Sequence, residues 1–350
     1  MKLLIVSFTK RGEELADKLQ IAFDVIQIPS RIIKGPFVPT LGEQIGESFR
    51  RDDGIIFVGA TGIAVRTIAP YLKSKYTDPA VVVLDERAQY CISLLSGHVG
   101  GANALARQVA SLTGASPVIT TATDVNDCFA IDLYARQKDL YMDPVKMCKK
   151  ISASLLNGEK VLLKSDFPIL SSLPNGMELE GAVEEGEENL NHIHFSLFSK
   201  GELAKNTLYL LPRILTIGIG CRRGASYEKI ENAVVQSMMR LGSENHHSVK
   251  HMLQSTLQIA SIDLKKDEIG IRQFAEKYRL PFLTFSAEEL EQAPGEFSHS
   301  DFVNQTAGVD NVCERAAMKA CGTGKLIHKK TVYDGVTIAI AMADWSVDFV

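Results

Sequence analysis

Residues 54–73 read GIIFVGATGIAVRTIAPYLK, and this stretch decides the fold class. An apolar strand ends at Val58, a tight turn lies between Gly59 and Gly62, and an amphipathic helix follows from Ile63. Short apolar strands that alternate with helices predict a mostly parallel sheet that is covered by helices on both faces. The same pattern recurs through the first 140 residues and again beyond residue 213.

The pattern divides the chain into three parts. Residues 1–140 are predicted to form an N-terminal α/β domain, and residues 213–350 a C-terminal α/β domain. Residues 141–212 form a small strand-rich middle segment, in which proline, glycine and acidic residues interrupt short apolar runs. Near the C-terminus, Asp334-Gly335 separates two apolar runs and predicts a terminal β-hairpin. The predicted fold class is therefore α/β.

The composition is that of a globular protein with no bias toward polyanions. Of the 350 residues, 45% are hydrophobic and 23% are charged, and the formal net charge is −4. These values argue against disorder, coiled coils and general nucleic-acid binding. No apolar run reaches the ~18 residues of a membrane-spanning helix, and no signal-peptide cleavage site follows Leu3–Phe8. The six cysteines form no CxxC motif, so we expect reduced thiols and a cytoplasmic location.

The first candidate loop follows the strand that ends at Val58. Glycines at 59 and 62 let backbone N–H groups approach a ligand, and a helix N-terminus favours an anion. Thr61 lies in this loop, and Arg66 lies about one turn into the helix. The alternative is a tight turn that binds nothing.

The second candidate loop is SGHVGGAN, residues 96–103, at the end of another apolar strand. His98 lies among glycines, and an imidazole suits acid–base chemistry near neutral pH. The glycines suggest that space is left for a ligand. The alternative is that His98 only forms hydrogen bonds within its loop.

The third and fourth candidate loops are TTATD, residues 120–124, and GIGCRRG, residues 218–224. In the third, Asp124 is explained as a helix cap, whereas the threonines can bind a polar ligand or pack as β-branched residues. The fourth reads GxGxxxG, so the dinucleotide fingerprint is not met. Its Arg222 and Arg223 suit carboxylates, and Cys221 is either a packed or a reactive thiol.

All four loops follow the carboxyl ends of predicted strands. Ligands of open parallel sheets bind beyond such ends, near a point where the strand order reverses. We therefore expect the four loops to line one cleft between the two α/β domains.

Seven stretches together resemble the CbiG family of cobalamin-biosynthesis proteins. They are VGATGIAVRTIAPYL (58–72), DPAVVVLDE (78–86), ISLLSGHVGGANALA (92–106), PVITTATD (117–124), IGIGCRRGAS (217–226), AGVDNVCERAA (307–317) and KLIHKKTVYDGVTIAIA (325–341). The C-terminal part is also similar to the stand-alone CobE protein. One departure is Arg87-Ala88, where a glycine is expected nearby.

The resemblance implies a cobalt-precorrin-5A hydrolase. Such an enzyme uses water to open the δ-lactone of a cobalt-bearing tetrapyrrole, releases acetaldehyde and leaves cobalt-precorrin-5B. Cobalt arrives within the substrate, so neither a cofactor nor a protein metal site is expected. The expected partners are this tetrapyrrole, other cobalamin-pathway enzymes and a second copy in a homodimer, with no nucleic acid and no membrane.

The site residues combine the loops with this implied chemistry. His98 is the proposed water-activating residue, the Gly97–Gly101 backbone is expected to stabilise charge, and Glu86 and Glu314 are alternative acid–base residues. The residues expected to bind substrate are Gly59, Thr61, Gly62, Arg66, Ser96, Gly97, Gly100, Gly101, Asn103, Thr121, Thr123, Gly220, Cys221, Arg222, Arg223 and Lys325.

Two other functions fit the same loops. A non-catalytic corrinoid carrier uses the arginines but needs no base. A nucleotide-dependent enzyme uses the glycine loops for phosphate, although the spacing of the fourth loop counts against it.

Overall fold

The computed structural model describes residues 1–74, 77–98, 100–126, 128–181, 190–197, 204–242, 246–299, 305 and 307–349. The chain divides into two compact units, Met1–Leu133 and Tyr134–Val350. The three-domain division with boundaries at 140 and 212 stays a prediction. Within the described residues, we find no helix long and apolar enough to cross a membrane.

The first unit is built on one six-stranded sheet with the order β2-β1-β3-β4-β5-β6. Its strands are β1 (Leu3–Ser7), β2 (Ser30–Lys34), β3 (Gly54–Val58), β4 (Ala80–Leu84), β5 (Tyr90–Leu95) and β6 (Ser116–Val118). The first four strands run parallel. The predicted mostly parallel sheet is therefore confirmed.

Helices cover both faces of this sheet. They are α1 (Lys10–Val25), α2 (Leu41–Arg51), α3 (Thr61–Ile68) and α4 (Ala102–Thr113). A 3-10 turn at Ala69–Tyr71 follows α3, α5 (Ala122–Val125) follows β6, and α6 (Ile131–Gln137) spans the boundary between the two units. In β1, Leu3 and Ile5 pack with α1 and α4, whereas Leu4 and Val6 pack with α2 and α3. The strand is buried on both faces, which is typical of parallel sheets.

The direction of the sheet reverses at β5. This strand runs antiparallel to β4, with Leu95 opposite Val81, and β6 is parallel to β5. The connection from β4 to β5 has only the residues 85–89, which is far too short for a parallel crossover. Asp85 accepts three backbone N–H groups of this turn, and Ala88 has φ 53°, where a glycine was expected nearby. As a result, the C-terminal ends of β5 and β6 lie at the end of the sheet where the N-terminal ends of β1, β3 and β4 lie.

The second unit contains two five-stranded sheets, and the first has the order β7-β11-β10-β8-β9. Its strands are β7 (Leu140–Asp143), β8 (Val161–Ser165), β9 (Met177–Leu179), β10 (Asn191–Phe195) and β11 (Thr207–Pro212). Helix α7 (Lys146–Leu156) connects β7 to β8. This sheet confirms that the middle segment is rich in strands.

The second sheet of this unit has the order β14-β13-β12-β16-β15. Its strands are β12 (Leu215–Cys221), β13 (Thr256–Ile262), β14 (Phe282–Phe285), β15 (Lys325–Tyr333) and β16 (Val336–Met342). The associated helices are α8 (Tyr227–Leu241), α9 (His246–Gln254), α10 (Ile269–Tyr278), α11 (Ala287–Glu291) and α12 (Val312–Cys321), with a 3-10 turn at Asp263–Lys265. The predicted hairpin is confirmed, because Asp334 and Gly335 turn with φ of 43° and 81°.

Candidate active site

A cavity of about 1330 Å³ opens in the second unit, where β12 and β13 end. Its apolar wall includes Ile262, Leu264, Ile269, Val312 and Val332. Leu264, Ile269 and Val332 are each more than 60% exposed, so large apolar side chains face solvent there. A broad cleft with apolar walls and a few polar groups is the usual form of a small-molecule site.

Three cations line this cavity without forming an ion pair to any described carboxylate. Arg222 and Arg223 lie in the loop after β12 and are exposed, and Lys330 lies half-buried in β15. Among the residues that the structure describes, no carboxylate forms an ion pair with any of the three. The predicted substrate-binding residues Gly220, Cys221, Arg222 and Arg223 therefore lie together, and Lys330 is a cation that the sequence reasoning missed.

The N-termini of α8, α10 and α12 also meet at this cavity. Two of them are in direct contact, because a Cβ atom on Gly270 of α10 would lie 2.3 Å from the carbonyl oxygen of Ala225. Helix N-termini carry partial positive charge and free N–H groups. They add to the positive potential of the three cations.

Glu268, which forms an ion pair with Lys265, supports the loop that carries Arg222 and Arg223. Glu268 is almost fully buried, and its carboxylate accepts the N–H of Gly224 at 2.6 Å and the ammonium of Lys265 at 3.2 Å. Gly224 has φ 77°, a conformation that favours glycine. The loop that carries Arg222 and Arg223 is thus fixed at its end. No sequence pattern indicates this contact, since Glu268 lies 44 residues away from Gly224.

The glycines of GxGxxxG serve packing in β12. A Cβ atom on Gly218 would lie 1.8 Å from the carbonyl oxygen of Cys313, and one on Gly220 would lie 2.5 Å from Oγ1 of Thr337. Helix α12 therefore packs directly against the backbone of β12. Gly218 and Gly220 are thus explained by packing, without a phosphate.

The two thiols at the cavity are protonated at neutral pH. Burial raises the pKa of Cys221 to about 11 and the pKa of Cys313 to about 12. Nucleophilic cysteines have lowered pKa values, because the thiolate is the reactive form. Cys221 is therefore a packed thiol.

In the first unit, His98 lies between two carboxylates. Its Nδ1 is 3.3 Å from Oδ2 of Asp124, and its Nε2 is 3.4 Å from Oδ1 of Asp132. The contact with Asp132 is the main cause that raises the pKa of His98, and Asp124 adds to it, whereas burial opposes it. This arrangement favours the protonated imidazolium, because both ring nitrogens face carboxylate acceptors. It suits a cation fixed between two carboxylates better than a free general base.

Asp124 joins several parts of this loop. It accepts Nδ2 of Asn103 at 2.8 Å and the guanidinium of Arg107 at 2.9 Å, in addition to facing His98. The interpretation of Asp124 as a helix cap is wrong, because α5 begins at Ala122 and Asp124 lies inside it. Thr121 accepts Nδ2 of Asn103 at 3.0 Å. Two predicted substrate-binding residues, Asn103 and Thr121, are thus bonded to each other.

Two glycines of the His98 loop, Gly97 and Gly100, are explained by close contacts rather than by space for a ligand. A Cβ atom on Gly97 would lie 2.7 Å from Oδ1 of Asn103, and one on Gly100 would lie 2.1 Å from Cβ of Ser96. Gly101 has φ 89°, and Ser96 has φ 57°.

The first N–H groups of α4 are also occupied within the loop. Gly101 N donates to His98 O, Ala102 N to Ser96 O, and Asn103 N to Gly97 O. Within the Gly97–Gly101 backbone, the N–H of Gly101 is thus already bonded inside the loop. The expected role of this backbone in stabilising charge stays a prediction. Thr123 lies within α5.

The Gly59 loop does not meet the His98 loop. The Gly59 loop, with Thr61, Gly62 and Arg66, lies at the end of the sheet where β3 ends. The His98 loop leaves the opposite end of the sheet, because β5 is antiparallel to β4. The expectation that these loops share a cleft is wrong for this reason. Glu86 also lies at the β3 edge, where it accepts the hydroxyl of Thr9 at 2.6 Å. A common cleft for loops of the first and second units stays a prediction.

Two other candidates lie away from the cavity lining. Lys325 begins β15 and pairs with Met342, which pairs with Leu215 at the start of β12, so Lys325 is at the sheet edge opposite the cavity. Glu314 was expected to face solvent or pair with a lysine if it is not catalytic. Instead its side chain is fully buried and accepts four hydrogen bonds.

Three family models match this chain. "Cobalamin synthesis G N-terminal" matches residues 43–124, "Cobalamin biosynthesis central region" residues 129–212, and "Cobalamin synthesis G C-terminus" residues 215–341. Together these matches cover well over half of the sequence.

Relatives match over most of their length. The chain is 35% identical over 315 residues to the cobalt-precorrin-5A hydrolase of Salmonella typhimurium, covering 88% of this chain and 87% of that protein. It is 32% identical over 360 residues to the cobalt-precorrin-5A hydrolase of Priestia megaterium, covering 97% and 94%. The crystal structure of CobE, a protein of the cobalamin biosynthetic pathway, matches 38% of this chain and 92% of CobE at 30% identity and a TM-score of 0.33. The chain belongs to the CbiG family of cobalamin-biosynthesis proteins.

Proposed function

We propose that this chain is a cobalt-precorrin-5A hydrolase of cobalamin biosynthesis. It opens the δ-lactone of cobalt-precorrin-5A with water and releases a two-carbon fragment as acetaldehyde, which leaves cobalt-precorrin-5B. The relatives with this name, similar over nearly the whole chain, support the proposal. Cobalt is part of the substrate, so the proposed enzyme needs no resident cofactor.

The cavity of the second unit is the observation that carries the proposal. A tetrapyrrole with acetate and propionate side chains presents a flat apolar ring and several carboxylates at its rim. The cavity offers apolar walls together with Arg222, Arg223 and Lys330, whose charges lack partners among the described residues. Guanidinium and ammonium groups form the strongest hydrogen bonds with carboxylates. At about 1330 Å³, the cavity exceeds the ~300–1,000 Å³ of common small-ligand sites, as a macrocycle requires.

The chemistry of the cavity favours attack by water over attack by a thiol. Cys221 and Cys313 have raised pKa values and stay protonated. The arginines and the helix N-termini can stabilise the oxyanion that forms when water adds to the lactone carbonyl. The role of His98 in activating that water stays a prediction, and a His98→Ala enzyme with undiminished acetaldehyde release would remove it.

The proposal also includes a location and partners. We expect the enzyme to act in the cytoplasm on a soluble tetrapyrrole, without nucleic acid or a membrane. A homodimer and contacts with other cobalamin-pathway enzymes stay predictions.

Mass spectrometry of cobalt-precorrin-5A incubated with the purified protein tests the proposal. A shift to the mass of cobalt-precorrin-5B supports the hydrolase. A tetrapyrrole that co-purifies with the protein at unchanged mass supports the corrinoid carrier instead.

A further inference from the structure

Glu314 is a fully buried carboxylate that no cation neutralises by an ion pair within the described ranges. It is the third residue of α12, and its oxygens accept four hydrogen bonds, from Ser298 N at 2.8 Å, Ser298 Oγ at 3.0 Å, Asn311 Nδ2 at 2.8 Å and Lys330 N at 2.7 Å. A buried charge is costly unless such donors compensate it. The four donors come from three separate segments, so this carboxylate joins α12 to β15.

The bond to Lys330 falls at an irregularity of β15. His328 pairs with Ile340 and Thr331 pairs with Ile338, so Lys329 and Lys330 together stand opposite the single residue Ala339. This is a β-bulge, in which one extra residue disrupts the hydrogen-bond ladder and re-aims a side chain. The N–H of Lys330 donates to Oε1 of Glu314.

The alternation of side chains along β15 decides where the lysine points. Ile338 and Ile340 belong to the core beneath α8, and the residues of β15 opposite them share that face. Lys330 precedes Thr331 and therefore faces the other side of the sheet, where it lines the cavity together with Val332. Lys330 and Val332 are two residues apart in β15, so the alternation of side chains brings both to the cavity side of the sheet.

We propose that Glu314 is a positioning residue that holds the β15 bulge, so that the ammonium of Lys330 binds a carboxylate of the tetrapyrrole. The proposal rests on the proposed function of the cavity. Glu314 itself does not touch the substrate, because it lies outside the cavity lining and all its contacts are made within the protein.

A double-mutant cycle on ligand binding tests the proposal. The variants are Glu314→Gln, Lys330→Met and the double variant, with Lys329→Met as the matched control, since Lys329 is exposed and lies outside the cavity lining. Glutamine keeps the shape of the side chain but turns an amide NH2 toward the donors. The probe is uroporphyrin, a tetrapyrrole with eight carboxylates, and its Kd is measured by fluorescence titration.

We expect Lys330→Met to raise the Kd about tenfold, as for the loss of a hydrogen bond to a charged group. Glu314→Gln should raise it by a similar factor, and the double variant by no more than either one. Lys329→Met should change the Kd less than about twofold. Independent effects that multiply in the double variant overturn the proposal, as does a folded Glu314→Gln protein with wild-type Kd.

If Glu314→Gln does not fold, Ser298→Ala replaces it, because it removes a single donor to Oε1 of Glu314. The same non-multiplicative effect with Lys330→Met is expected, and a multiplicative effect overturns the proposal. Failure of the proposed function is a different result. It is seen as the absence of acetaldehyde from wild-type protein and cobalt-precorrin-5A, whatever the coupling of these residues in probe binding.

Discussion

Val81 and Leu95 stand opposite each other in antiparallel strands. This one pair places the end of β5 beside the beginning of β4, so the chain enters the His98 loop at the edge where the parallel strands start. Glu86, which follows β4, lies at the other edge. The five residues of a strand separate the two edges by roughly 16 Å, at about 3.3 Å per residue.

The separation predicts that His98 and Glu86 act independently. The free energies of unfolding lost in His98→Gln and Glu86→Gln should add in the double variant to within about 0.5 kcal/mol. Denaturant unfolding followed by circular dichroism measures all three. A coupling above about 1 kcal/mol would place the two side chains in one network and contradict the sheet order.

The two carboxylates beside His98 predict a pH-dependent contribution to stability. Asp132 and Asp124 raise its pKa in the folded protein. The stabilisation is therefore complete below the unfolded pKa of about 6.5 and is lost as the pH rises through the folded pKa. We expect His98→Gln to lower the free energy of unfolding by about 1 kcal/mol near pH 6 and by less near pH 9. Equal losses at both pH values would show that His98 is not held as a cation.

Two cations of the second sheet should differ in their effect on substrate binding. Arg222 lies at the cavity, whereas Lys325 lies at the opposite sheet edge. Arg222→Gln should raise KM for cobalt-precorrin-5A about tenfold, and Lys325→Gln should leave it within about twofold. Steady-state kinetics of acetaldehyde release gives both values. A larger effect at Lys325 would move the binding site away from this cavity.

The contact of α12 with β12 predicts unequal effects of two glycine substitutions. Gly218→Ala forces a Cβ atom onto the carbonyl oxygen of Cys313 and should cost about 1–3 kcal/mol of folding free energy. Gly62→Ala is the control, because a Cβ atom there meets nothing within 4 Å. Thermal unfolding of both variants tests this. Equal midpoints would mean that the helix does not press on this strand.

The protonated state of Cys221 predicts a slow and dispensable thiol. With its pKa raised to about 11, it should react with iodoacetamide more slowly than free cysteine at neutral pH. Cys221→Ser should keep most of the hydrolase activity. A loss beyond about tenfold would indicate a thiol that takes part in the reaction.

The sequence pattern predicts the strands and turns that are specified by neighbouring residues. The apolar run before Val58 and the Asp334-Gly335 turn specify a strand and a hairpin through neighbouring residues alone. The length of the connection from β4 to β5 predicts the direction of β5, because five residues cannot form a parallel crossover. The alternation of strands and helices alone does not reveal this direction.

The contacts that assemble the site depend on distant residues. Glu314 accepts from Ser298 and Lys330, each 16 residues away in opposite directions along the chain. Lys330 rather than Lys325 lines the cavity because Lys325 begins β15, where its partners Met342 and Leu215 lie at the opposite end of the sheet. Such contacts appear only once the strands are paired.

Acetaldehyde released per tetrapyrrole in a single turnover tests the central claim most directly. Wild-type protein in excess over cobalt-precorrin-5A should release one acetaldehyde for each lactone opened. At protein concentrations too low to bind all of the substrate, the Arg222→Gln protein should release acetaldehyde more slowly than the wild-type protein. Stoichiometric capture of the tetrapyrrole with no aldehyde from the wild-type protein would contradict the hydrolase.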